Sequence, residues 1–238
     1  MTTAVTELLI QKYMPILRES PLFRQLSDEE LHLFLNNTSL YVESYKKQSF
    51  IALTGEPMEG IGILLSGHAH LTRENVMGQR TIMTELRPSD MFGEALLFTD
   101  KPNWPATIQT TKASEVLFLP LKAFTGSFKG CESCQLQIVT NLLHDMSEKA
   151  LQLTRKVHYL SLKGMREKIF AYFMDIYNKQ HSTTLQLPHN RQEMADVLNV
   201  SRTALSRELG RLQDEGIIRL DGKTVSLLNL DDIAEFGF

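Results

Sequence analysis

The stretch Pro188-His-Asn-Arg-Gln-Glu-Met-Ala-Asp-Val-Leu-Asn-Val-Ser-Arg-Thr-Ala-Leu-Ser-Arg-Glu-Leu-Gly-Arg-Leu-Gln-Asp-Glu215 decides how this chain is read. It has the pattern of two short helices around a tight turn. Asn190 is a good N-cap for the first, whose inward positions are Met194, Ala195 and Leu198. Asn199-Val200 makes the turn, with Val200 directed inward between the helices. Ser201 caps the second helix, which buries Ala204, Leu205, Leu209 and Leu212 and stops at Gly216. Arg202, Thr203, Ser206, Arg207 and Arg211 are then left for solvent or a partner, on a helix that fits the major groove of DNA.

A solvated helical hairpin would look much the same, so the flanking residues matter. Ile217-Ile218-Arg219-Leu220 and Lys223-Thr224-Val225-Ser226-Leu227-Leu228 flank Asp221-Gly222. This reads as two strands joined by a type I′ turn, a wing beside the helices. A winged helix-turn-helix predicts binding to double-stranded DNA.

Upstream, the N-terminal region to about residue 38 has helical periodicity. It breaks at Ser20-Pro21 and restarts at Ser27, whose spacing to Glu30 is that of a capping box. From Leu40 the pattern turns to short β-prone runs: 50–53, 61–65, 68–72, 80–86, 106–111 and 116–119. Turn residues recur about every ten positions, as in an all-β roll or sandwich. Residues 135–160 then read as one long helix. Leu136, Val139, Leu143, Met146, Ala150, Leu153, Val157 and Leu160 follow steps of three and four. Roughly three and a half heptads of this kind predict a parallel homodimer seam. Ser161 is read as the cap of a further helix over 162–179, which makes Leu160-Ser161-Leu162 a candidate hinge. The expected organisation is a β-roll domain with N-terminal helices over 1–134, a dimerisation helix over 135–160 and the DNA-binding domain over 161–238.

The 238 residues suffice for two small cores. Hydrophobic content of 42% and charged content of 22% are ordinary for a globular protein. The net charge of −3 leaves no global basic footprint, so DNA affinity must come from locally placed arginines duplicated in a dimer. No run approaches the roughly eighteen apolar residues of a membrane span, so no membrane partner is expected. The stretch from Val5 to Arg18 is amphipathic and not expected to be a signal peptide, which makes the cytoplasm the expected compartment. No Gly-rich phosphate loop, nucleophile elbow or clustered ligand set points to an enzyme.

A β-roll, a long dimer helix and a C-terminal winged helix-turn-helix, in this order, resemble the CRP/FNR superfamily of bacterial transcription regulators over nearly the whole chain. The strings that carry the resemblance are Pro88-Ser-Asp-Met-Phe-Gly-Glu94, Asn190-Arg-Gln-Glu193 and Ser201-Arg-Thr-Ala-Leu-Ser-Arg207. It implies an α+β fold: a cyclic-nucleotide-binding-domain-like roll, the dimerisation helix and the winged module. It also implies a palindromic DNA site, with Arg202 and Arg207 on guanine or phosphate, Ser206 toward a base, and Asn190, Arg191 and Gln192 on backbone phosphates.

The sequence departs from the family pattern at several places. Thr203 stands where many members carry a glutamate that accepts from cytosine, which leaves the operator open. Cyclic-nucleotide-binding members follow the counterpart of Gly93-Glu94 with an Arg-Ser pair for the phosphate; this chain has Trp104-Pro105. Ala150-Leu151 falls about where such members offer hydroxyls. An anion deprived of a charge-assisted hydrogen bond loses roughly 1.5–3 kcal/mol, and proline also removes a donor. Cyclic AMP is therefore not the expected effector.

Gly93, Glu94, Trp104 and Ala150 mark the candidate effector region. Trp104 either lines an aromatic effector site or fills the space of the lost phosphate. Cys131-Glu-Ser-Cys134 offers a redox pair or half a metal site, against the plainer reading of two small residues in a linker. The histidines, including His68, His70 and His144, reach no three-ligand set, so neither haem nor metal is assigned and the cofactor stays unknown. The resulting expectation is a dimeric regulator gated by a small molecule or a redox signal. A sensor that acts through protein contacts without DNA is the alternative. Activation would further require a surface for RNA polymerase.

Overall fold

The computed structural model describes residues 3–75, 77–100, 102–126, 131–230 and 233, and side chains from residue 11 onward. Two compact units divide the chain, Met1–Glu148 and Lys149–Phe238, each with its own apolar core. Among the described residues no helix is long and apolar enough to cross a membrane.

The N-terminal unit opens with α1 (Thr3–Glu19) and α2 (Asp28–Asn37). The capping box is present as read: Ser27 Oγ accepts from Glu30 N at 3.1 Å, and Glu30 Oε2 accepts from Ser27 N at 2.8 Å. Eight strands follow, β1 (Tyr41–Tyr45), β2 (Phe50–Ala52), β3 (Gly60–Ser66), β4 (Ala69–Glu74), β5 (Arg80–Leu86), β6 (Met91–Phe92), β7 (Thr107–Thr110) and β8 (Ser114–Pro120). They form two antiparallel sheets, in the orders β1-β8-β3-β6 and β2-β7-β4-β5. Strand β3 is almost wholly buried and reads as a continuous apolar run. Ile61, Ile63 and Leu64 join Leu119 and Val116 of β8 and the α2 residues Leu31, Phe34 and Leu35 in one core.

After the short α3 (Lys122–Thr125) comes α4 (Glu132–Ser161). Its start, with Cys131, Cys134, Ile138 and Leu142, is buried in the N-terminal core. The predicted seam lies on another face. Leu136, Leu143, Leu153 and Val157 are each more than half exposed and Leu160 nearly so, while Val139 and Met146 are partly covered by the roll's core.

The C-terminal unit contains α5 (Met165–Gln180), β9 (Thr184–Gln186), α6 (Arg191–Leu198), α7 (Arg202–Asp214), β10 (Ile218–Asp221) and β11 (Thr224–Leu227). Its sheet has the order β10-β11-β9, so the wing gains a third strand that the sequence reading lacked. Two local expectations are corrected. Ser161 does not cap a helix over 162–179: its hydroxyl donates back to His158 O at 2.7 Å as the last residue of α4, and α5 starts after Gly164, whose N–H donates to Glu167 Oε2 at 3.1 Å. The break therefore lies at 162–164 and not at 160–162. The wing turn is also shifted by one residue. Asp221 pairs with Thr224 as a strand residue, leaving Gly222-Lys223 as the loop. Gly222 has φ +56° and Lys223 has no positive φ, which fits a type II′ turn and not the type I′ turn expected for Asp-Gly.

Candidate nucleic-acid interface

Local hydrogen bonding explains why the helix-turn-helix forms where it does. Asn190 Oδ1 accepts from Gln192 N at 2.9 Å and from Glu193 N at 3.0 Å, while Glu193 Oε2 accepts from Asn190 N at 2.7 Å. This reciprocal arrangement satisfies donors that the first turn of α6 would leave orphaned. Asn199 takes the left-handed conformation at φ +53°, and the following N–H of Val200 donates to Ala195 O at 2.9 Å. Asparagine tolerates that region better than other residues bearing a Cβ. Ser201 Oγ then accepts from Ala204 N at 3.2 Å and starts α7.

Met194, Ala195 and Leu198 of α6 and Leu205, Leu209 and Leu212 of α7 are fully buried in the same core as Ile218, Val225 and Leu227 of the wing. Ala204, expected in the core, is half-buried. Seating these six side chains fixes the rotation of α7. Ser201, Arg202, Thr203, Ser206, Arg207 and Arg211 all reach the exposed side. Gly210 sits among them with open space where a Cβ would go.

The arginines of that face differ. Arg202 and Arg207 form no ion pair among the described residues. Arg211 Nη1 donates to Glu208 Oε2 at 3.3 Å, and Glu208 Oε1 also accepts from Arg166 Nε at 3.0 Å. Arg166 of α5 makes a bidentate contact with Glu215, both bonds at 2.8 Å, clamping α5 to the end of α7. The Arg166 guanidinium holds the Glu215 carboxyl below the usual carboxylate range. At the start of α6, Asn190 and Gln192 are exposed, but Asn190 Oδ1 is already spent on capping and Gln192 Nε2 donates to Asp196 Oδ1 at 2.9 Å. Arg191 is half-buried, with Nη1 enclosed and unbonded among the described residues, and burial pushes its pKa down.

In the N-terminal unit, Gly93 and Trp104 come together and Glu94 follows in a one-turn helix. Trp104 is 8% exposed, its ring centroid 6.0 Å from that of Phe92. Gly93 has φ +87°, and a Cβ there would lie 2.8 Å from Trp104 Cη2, so only glycine lets the indole close over this turn. The backbone fixes Trp104 as well: its N–H donates to Glu56 O at 2.9 Å and its carbonyl accepts from Gly55 N at 2.8 Å. Ala150 is exposed and belongs to the C-terminal unit.

Cys131 and Cys134 are joined by a disulfide at the start of α4, both fully buried in the core and so not residues of a loose linker. His70 Nε2 lies 3.7 Å from Glu85 Oε1. No cluster of three or more His, Cys, Asp or Glu among the described residues is arranged to hold a metal ion.

Comparison with known proteins agrees with this architecture. Residues 42–129 match the cyclic nucleotide-binding domain family, and residues 167–236 match the Crp-like helix-turn-helix domain family. The chain is 24% identical over 202 residues to the cAMP-activated global transcriptional regulator CRP of Pasteurella multocida, covering 83% of this chain and 94% of that protein. It is 24% identical over 222 residues to the cyclic AMP receptor protein of Thermus thermophilus, covering 93% and 99%. The crystal structure of the Thermus thermophilus catabolite activator protein superposes with a TM-score of 0.53 at 23% identity, over 91% of this chain and 98% of that one. With a nucleotide-domain-like roll, a long helix and a Crp-like helix-turn-helix in succession, the chain belongs to the CRP/FNR superfamily.

Proposed function

We propose that the protein is a homodimeric, sequence-specific transcription regulator that binds a palindromic DNA site and is gated through its roll by a small-molecule or redox signal other than cyclic AMP. The observation that carries the DNA reading is the exposed face of α7. Arg202, Thr203, Ser206 and Arg207 are exposed, with the two arginines clear of ion pairs among the described residues, on a helix whose rotation is fixed by three buried leucines. Arg202 and Arg207 supply base or phosphate contacts, and Thr203 and Ser206 supply hydroxyls to base edges. The exposed apolar residues of α4 support dimerisation, since such a stripe is costly to leave in water. Two copies then present two α7 helices to half-sites one DNA turn apart.

The Pasteurella multocida relative is named as cAMP-activated and the Thermus thermophilus relative as a cyclic AMP receptor. In this chain a phosphate at the same turn would have to displace a packed indole, and Pro105 offers no N–H.

Selection of bound duplexes from a random DNA library, with reduced protein and no added ligand, tests the proposal directly. Enrichment of a two-fold symmetric site is expected. A folded dimer that enriches no sequence, reduced or oxidised, with or without added metabolite pools, would overturn the DNA reading.

A further inference from the structure

Within the C-terminal unit a cavity of about 570 Å³ opens between the end of α4, the second half of α5, the last turn of α6 and the residues Pro188 and His189 that lead into α6. Roughly 300–1,000 Å³ is the usual size of small-molecule sites. Its floor is apolar and aromatic. Tyr159 and Tyr172 are buried with ring centroids 6.3 Å apart, flanked by Ile176 and Val197. Both phenols are held in place: Tyr159 Oη donates to Asp175 Oδ2, and Tyr172 Oη is 2.8 Å from His189 Nδ1.

The charges at its mouth are unbalanced. Arg155, Lys156 and Lys179 line it and none forms an ion pair among the described residues. Two carboxylates line it as well and keep their charge, but one oxygen of each already accepts a hydrogen bond, Asp175 from Tyr159 Oη and Asp196 from Gln192 Nε2. An excess of one positive charge over a two-ring floor, with the carboxylate oxygens turned to their own donors, suits a ligand with a flat apolar body and a single anionic group.

Most of the cavity lies away from the proposed dimer seam. At about 100° per residue, positions 152, 155 and 159 sit roughly 80–160° around α4 from Leu153, Val157 and Leu160, and Lys156 alone borders the seam, about 40° from Leu160. We infer that this cavity is a second effector site, built into the DNA-binding unit and separate from the roll, for a small aromatic carboxylate, sulfonate or phosphate. The site touches α6 through Asp196 and Val197 and α5 through Tyr172, so its occupancy bears on the element that seats the recognition helix.

The test is a fluorescence titration of the full-length protein with two probes that share one body, anionic anilinonaphthalene sulfonate and neutral N-phenylnaphthylamine. The expected result is saturable binding of one sulfonate per chain, about tenfold tighter than the neutral probe, as charge-assisted contacts predict. The triple variant Arg155→Ala, Lys156→Ala, Lys179→Ala should erase that preference and leave neutral-probe binding unchanged. Val197→Trp, which fills the cavity, should abolish both, and this arm decides if the triple variant fails to fold. A preference unchanged in the triple variant overturns the proposal. So does sulfonate binding that survives Val197→Trp but is lost with Leu153→Glu, since the probe then reports the seam. If the triple variant loses DNA affinity while probe binding persists, the cations serve DNA and the ligand site falls. None of these readouts requires the roll to sense anything.

Discussion

At the scale of the residue, the chemistry concentrates on one turn and a half of α7. Replacing Arg202 and Arg207 together by alanine should weaken binding to the selected site by about 1–3 kcal/mol per lost base contact, measured by fluorescence anisotropy at fixed salt. Thermal unfolding should stay unchanged, because both side chains are exposed and form no ion pair among the described residues. Thr203→Glu gives the opposite kind of change. A carboxylate at this exposed position can accept from a cytosine amine, so library selection should now enrich cytosine at one position of each half-site. If the enriched sequence is the same as for the unaltered protein, position 203 does not face a base. The sequence offers Arg211 and Arg191 to DNA alongside Arg202, and the structure separates them from it. Arg211 shares Glu208 with Arg166, and Arg191 is half-buried. Glu208 is shared with an arginine of another helix, and Arg191 is enclosed by its surroundings, neither of which a linear pattern of charges reveals.

At the scale of the element, α4 presents two faces with different tasks. Cys134, Ile138 and Leu142 are buried in the roll's core, while Leu136, Leu143, Leu153 and Val157 stay exposed. Leu143→Glu with Leu153→Glu should convert a dimer to monomers in sedimentation equilibrium without unfolding either unit; a persistent dimer would put the interface elsewhere. The α5–α7 clamp makes a second prediction. The folded-state pKa of Glu215 is depressed by Arg166, so its contribution is present above the ordinary carboxylate value and fades as pH falls through the depressed one. Stability of the C-terminal unit should therefore decline below about pH 4.3, and Arg166→Met should flatten that decline in a series of melts.

The helices were legible because their signals are local: Asn190, Ser201 and Ser27 cap where their side chains reach backbone N–H groups one turn on. The wing turn was misplaced because register is set at a distance. Val225 and Leu227 must face the core, and their pairing with Leu220 and Ile218 draws Asp221 into the strand. Strand β9 escaped notice since its three residues, with only Leu185 buried, carry no periodicity of their own.

At the scale of the whole molecule, the two units have separate cores that share no residue. Two unfolding transitions are expected by calorimetry, and saturating operator DNA should raise only the one belonging to the C-terminal unit. Millimolar cyclic AMP should raise neither; a clear shift of the roll's transition would mean that the indole yields to a phosphate. The sequence left open whether Trp104 lines a site or fills one, because tight closure depends on Gly93 and Phe92 meeting it in space. The same burial has an optical consequence. Trp104 is the chain's single tryptophan, so excitation at its red edge lights one unit and leaves the other dark. Its emission maximum and quenching by iodide or acrylamide report the state of the roll alone, through DNA binding and melting, with no label attached.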